Sequence, residues 1–211
     1  LTPGVSGRDA RGDAAGVRRL FLAATRGVLY LAVPLNLGVW FLGRAFLARW
    51  VGPDLADASF PAAAVLALAL AVGVAQSAAA RVLYGLGRLR WFARLAVLEA
   101  MANVGLTAAL VGPFGVVGAA VAAAGPNVLF CAAVVGLTRR AVGVGRREYA
   151  TAWAGPLAAG LVPAAVWWGL GAVPATWGGI AATAAAGLAP YAVVVVLIER
   201  RHSPRRPSNS V

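Results

Sequence analysis

Six apolar runs, each close to the length of a membrane-crossing helix, dominate this chain of 211 residues. They fall at about 20–46, 61–80, 95–111, 116–137, 152–169 and 178–197. Crossing about 30 Å of hydrocarbon takes roughly 20 residues of helix. Backbone groups in lipid must be paired within a segment or within a closed barrel, so no other state suits such runs. Barrel strands would alternate apolar and polar residues, and these runs do not. Composition agrees: 61% of residues are hydrophobic and 12% charged, with a mean hydropathy of +0.79. A soluble domain carries about 25% charged residues to wet its surface. The expectation is an all-α integral membrane protein with six transmembrane helices.

The arginines orient it. All nineteen basic residues are arginine, and the net charge is +12. Four clusters of four occupy residues 1–19 (Arg8, Arg11, Arg18, Arg19), the stretch between spans two and three (Arg81, Arg88, Arg90, Arg94), that between four and five (Arg139, Arg140, Arg146, Arg147), and the tail (Arg200, Arg201, Arg205, Arg206). The Gly112-Pro113 and Gly171 to Pro174 connections carry none, and in 44–59 Arg44 and Arg49 are offset by Asp54 and Asp57. Positive charge thus alternates loop by loop, as the positive-inside rule requires of six helices with both termini cytoplasmic. Nucleic-acid binders gather charge into a continuous patch instead, so nucleic acid is not an expected partner. Trp40, Trp50, Trp91, Trp153 and Trp177 fall near span ends, where indole suits the headgroup layer.

This reading divides the chain into a cytoplasmic linker at 1–19, a bundle at 20–198 and a basic disordered tail at 199–211. The chain begins at Leu1, and residues 1–19 lack the apolar core of a signal peptide, so it reads as a fragment missing an N-terminal part.

Polar residues inside the spans are few. Glu99 and Asn103 lie four apart in the third span and share a helix face. An intramembrane carboxylate is a candidate proton, ion or counter-charge site; the plainer reading is an interfacial pair with Arg94 or Arg90. Gln76 in span two either lines a cavity or bonds a neighbouring helix. Pro34 in span one and Gly125-Pro126 in span four interrupt helices at membrane depth and are hinge candidates. Cys131 reads as a buried structural thiol, and His202 stands alone, so neither a cofactor nor a metal is expected.

Residues 81–138 carry a further pattern: Tyr84-Gly85-Leu86-Gly87-Arg88-Leu89-Arg90, a span bearing Asn103, then Phe114-Gly115-Val116-Val117-Gly118-Ala119-Ala120. With the Leu1-Thr2-Pro3-Gly4 start and the Pro34 span, this resembles the C-terminal part of the polysaccharide and O-antigen flippases of the multidrug/oligosaccharidyl-lipid/polysaccharide exporter superfamily. The resemblance covers most of the chain. It implies that these are the last six of twelve to fourteen spans, two bundles working by alternating access around a central cavity. It also implies a polyprenyl-pyrophosphate-linked glycan as substrate, the bilayer and the other bundle as partners, and the cytoplasmic membrane of a bacterium as the location. A pyrophosphate suits guanidinium groups, which makes Arg26, Arg81 and Arg94 cavity candidates beside Gln76, Glu99 and Asn103. Within the superfamily the alternatives are a cation-coupled multidrug exporter or a lipid II flippase; outside it, a non-transporting membrane subunit or assembly module. An enzyme is not expected, because no acidic cluster stands at the cytoplasmic face.

Overall fold

A computed structural model describes residues 12–202, together with residues 4, 5 and 7. The described residues form five helices: α1 (Ala14–Val51), α2 (Pro53–Gly85), α3 (Leu89–Ala141), α4 (Arg146–Leu170) and α5 (Trp177–His202). Each is long and apolar enough to cross a membrane. The fold is that of an all-α, multi-pass membrane protein.

Local chemistry sets the ends. The Asp13 carboxylate accepts from the Gly16 amide at 2.7 Å and caps α1. Gly52, at φ 93°, turns the chain into α2, whose first residue, Pro53, has no amide to leave unpaired. Gly87 and Gly143, both at φ 68°, end α2 and follow α3. At the first of these turns Arg88 N donates to Leu83 O at 3.0 Å; at the second Val144 N donates to Arg139 O at 2.9 Å. These are Schellman closures, which need a left-handed residue where the helix stops.

The helices outrun the expected spans. The 44–59 connection, read as a loop from its charges, is helical on both sides of Gly52. The linker is helical from Ala14, and the tail expected to be disordered from 199 continues α5 to His202. Arginines do not end a helix; they only end its apolar stretch. Arg8, Arg11, Arg205 and Arg206 lie outside the described residues. Pro34, Gly125 and Pro126 stay within helices that continue on both sides of them.

The third and fourth expected spans run together in α3. A straight helix of its 53 residues would reach about 80 Å, far beyond a bilayer. It is not straight. Gly115, at φ 55° and ψ −136°, leaves helical geometry. The arm at 89–114 then lies antiparallel to the arm at 116–141: Leu95, Ala102, Pro126 and Ala133 line one groove, and the Phe92 and Phe130 rings are 5.4 Å apart. A side chain at Gly118 would strike the Leu110 carbonyl. Of the two glycines in the Phe114–Ala120 motif, one makes the turn and the other admits the opposing backbone.

Helix α1 is the hub. It runs antiparallel to α2 (Arg44 beside Asp57, Gly43 against Phe60) and to α5 (Tyr30 beside Tyr191, Leu42 beside Ile180). It runs parallel to α4, with Phe21 on Tyr149, Tyr30 on Gly155 and Val33 on Gly160. One end of the bundle gathers Val17, Phe21, Val82, Leu83, Val134 and Val144 into a core. The starts of α1, α3 and α4 and the ends of α2 and α3 meet there, bringing most of the arginines with them. The opposite end holds Leu42, Trp167 and Ile180.

Candidate functional site

The six cavity candidates lie on three helices: Arg26 on α1, Gln76 and Arg81 on α2, and Arg94, Glu99 and Asn103 on the first arm of α3. Arg81 and Arg94 are exposed; the other four are half-buried. Among the described residues no hydrogen bond or ion pair joins any two of them. Arg94 does not reach back to Glu99. Its guanidinium lies 5.2 Å from the centre of the Trp91 ring, one turn earlier. Stacked cation and indole suit the headgroup layer, so this pair marks where α3 enters the apolar region.

Glu99 is eight residues past Trp91, about 12 Å along the helix axis. It lines a groove of about 290 Å³ between the two arms of α3, with Leu95, Leu98, Ala102, Pro126, Leu129, Phe130 and Ala133 as its other walls. The carboxylate is the one charged group in that lining. One turn on, the Thr107 hydroxyl donates to Asn103 Oδ1 at 3.4 Å. Glu99, Asn103 and Thr107 therefore form a stripe at intervals of four. Thr107 escaped the sequence reading, although i+8 from Glu99 was the signal for it.

The hinge candidates are closely tended. Pro34 lacks the amide that would bond Tyr30 O, four residues earlier. Into that place comes the Tyr191 hydroxyl from α5, which donates to Tyr30 O at 2.6 Å in a buried contact. Pro126 borders the Glu99 groove. One residue on, Asn127 Oδ1 accepts from the Cys131 thiol at 3.7 Å, and both face Gly73 of α2. The cysteine is buried, as its sequence setting suggested.

Two further bonds between helices were not foreseen. Trp167 Nε1 donates to Thr183 O at 2.8 Å, and the Thr138 hydroxyl donates to Ala79 O at 3.2 Å. Trp167 is 2% exposed, whereas its neighbour Trp168 is 80% exposed. Two adjacent tryptophans in an apolar stretch give no hint which faces inward.

Charge separates by end. At the arginine-rich end Arg18 grips Glu148 with two parallel bonds, at 2.6 and 2.5 Å. The guanidinium holds the Glu148 carboxyl below the usual carboxylate range, and the carboxylate raises Arg18 in turn. A groove of about 430 Å³ beside them is lined by Arg18, Arg19 and Glu148 with Ala14, Ala15 and Val142. At the other end Arg44 meets Asp57 at 2.7 Å, and Arg49 lies 5.8 Å from the Trp177 ring centre. Comparison with known proteins finds no matching family model, no matching curated protein and no matching solved structure.

Proposed function

We propose that the chain is a six-crossing bundle of a lipid-linked-glycan flippase. In this reading it moves polyprenyl-pyrophosphate-linked glycan across the cytoplasmic membrane of a bacterium by alternating access, together with a second bundle. The observation that carries the reading is the fold-back of α3 at Gly115. In this reading the two arms are two crossings, which leaves the four arginine clusters at one end and, at the other, connections that carry no arginine or, in 44–59, two arginines offset by two aspartates. Such sidedness fits both ends of the described bundle in the cytoplasm. The turn also uses the motif residues Gly115 and Gly118 on which the flippase resemblance rests. Guanidinium groups at the cytoplasmic end would meet the pyrophosphate where the substrate is made, since Arg binds phosphate oxygens in pairs.

Single cysteines introduced at Arg88, Pro113, Arg140 and Val173 in a Cys131→Ser chain test the topology. Membrane-impermeant maleimide should reach Arg88→Cys and Arg140→Cys from the cytoplasmic side alone, and Pro113→Cys and Val173→Cys from the opposite side alone. Labelling of Pro113→Cys from the cytoplasm would remove the sixth crossing. For cargo, the full gene product in vesicles should move a fluorescent polyprenyl-pyrophosphate sugar between leaflets faster than protein-free vesicles do. Equal rates would sink the flippase reading.

A second reading has one observation in its favour. Glu99 lines an apolar groove and makes no ion pair among the described residues, which suits the cation-coupled exporters of the same superfamily. In that case Glu99→Gln abolishes cation-driven export; a glycan flippase keeps its translocation when Glu99 is neutralised.

A further inference from the structure

The inner half of α1 is held from two sides just before Pro34. Helix α4 lies against it so closely that a Cβ at Gly155 would sit 2.9 Å from the Tyr30 hydroxyl, and one at Gly160 2.5 Å from Val33 Cγ1. From α5, Tyr191 reaches the Tyr30 carbonyl. Around Pro34 two grooves flank the helix. A groove of about 340 Å³ runs between α1 and α4–α5, walled by Pro34, Gly38, Leu42, Trp167 and Ile180. Another of about 250 Å³ runs between α1 and α2, walled on α1 by Leu31, Ala32, Leu35, Asn36 and Val39, on both sides of the proline. Leu31 and Leu35, on either side of the proline, are 70% and 67% exposed. The two grooves therefore flank α1 at the one turn where proline removes a backbone hydrogen bond, between the contacts of Tyr30 and Val33 and that of Leu42 with Trp167 and Ile180.

We propose that α1 pivots at Pro34 and that the Tyr191 hydroxyl is the latch on this pivot, standing in for the amide that Pro34 lacks. A proline break leaves a carbonyl without a partner, and a buried carbonyl in that state is costly. The latch satisfies it with a group on another helix, so the turn closes only while α5 is seated. Bending of the outer half of α1 and movement of α5 are then one event. Asn36 adds a local tie on the far side of the break, donating from Nδ2 to Ala32 O at 3.0 Å. This device is independent of what the bundle carries.

Amide hydrogen exchange on the full chain in detergent tests it. Tyr191→Phe keeps the ring and removes the hydroxyl. Exchange of the α1 amides at 35–38 should rise roughly tenfold, the loss expected for one hydrogen bond, with α4 unchanged. Pro34→Ala restores an amide for the Tyr30 carbonyl. In that background Tyr191→Phe should change the same amides by less than about twofold. An unchanged rate at 35–38 in Tyr191→Phe overturns the latch, and so does an equal rise in both backgrounds. Pro34→Gly supplies the same amide should the alanine variant not fold. If neither Pro34 variant folds, the pattern in Tyr191→Phe alone decides. A rise confined to 35–38 supports the latch; one spread through α4 and α5 marks ordinary loss of packing and overturns it.

Discussion

The cluster of α1, α4 and α5 and the first arm of α3 are built from the same kinds of residue, yet they differ in nearly everything that holds helices together. In the cluster Trp167, Tyr191 and Tyr30 are 2%, 7% and 8% exposed, and two hydrogen bonds cross between helices. Glycines stand where α4 meets α1 and where Trp167 meets α5. In the arm Met101 and Val104 are 68% and 70% exposed. Its polar residues bond along the helix rather than across it, as Thr107 does to Asn103. Glycine 105 on the arm has open space around it, whereas Gly187 on α5 lies flush against the Trp167 ring. Apolar character therefore does not distinguish inside from outside here. Lipid is as apolar as leucine, so association rests on close approach and on polar bonds. Among the described residues the arm has no such polar bond and comes close only at its end, where Leu110 meets Gly118, and its bare face suits lipid or a second bundle.

The comparison breaks most sharply at those two glycines. Gly187→Leu drives a side chain into a ring fixed by its own hydrogen bond to Thr183 O. Overpacking of this kind costs about 3 kcal/mol or more. Gly105→Leu meets nothing and removes a poor helix former, a gain of up to about 1 kcal/mol. Thermal unfolding in detergent should separate the two variants in opposite directions from the native chain. Equal losses would mean that the arm is packed as tightly as the cluster.

The tryptophan pair sharpens the contrast within a single helix. Trp167→Phe removes one bond between α4 and α5 and part of a buried ring, a loss of about 1–2 kcal/mol. Trp168→Phe, one residue on, should stay within about 0.5 kcal/mol. Brominated lipid should quench the fluorescence that remains in Trp167→Phe more strongly than that in Trp168→Phe, because only Trp168 faces outward. The reverse order would place the wrong indole in the core.

Much of this architecture was open to reading in the sequence, and the reason for each failure is physical. The apolar runs located the helices because nothing else can satisfy backbone groups in lipid. They misplaced the ends, because a helix goes on past its apolar stretch until glycine or proline stops it, as at Gly52-Pro53 and Gly87. The turn expected between 111 and 116 falls at the last residue of that stretch: Gly112 and Pro113 remain helical, and Gly115 alone leaves helical geometry. At the site, the spacing of Glu99 and Asn103 was visible, but Arg94 chose Trp91 over Glu99. Pro34 announced an unpaired carbonyl at Tyr30; its partner at Tyr191, 161 residues away, could not be read from any local pattern.

The gentlest test concerns charge at the arginine-rich end. Arg18 and Glu148 join α1 to α4 across 130 residues, whereas Arg44 and Asp57 join neighbouring helices across 13. Both pairs are exposed, so each contributes little and is screened by salt. Glu148 has its pKa depressed by Arg18, so its contribution is present in full above the unfolded value of about 4.3 and is lost as pH falls through the lower folded value. Glu148→Gln lacks the pair at every pH. Its melting temperature should lie slightly below that of the native chain at pH 7 in low salt, and the two should converge as the pH drops below 4. Added salt at pH 7 should narrow the gap as well. A gap that widens toward acid would reverse the sign and show that Glu148 is held protonated rather than ionised. Arg18 would then be an anchor to the membrane surface and not a clasp between α1 and α4.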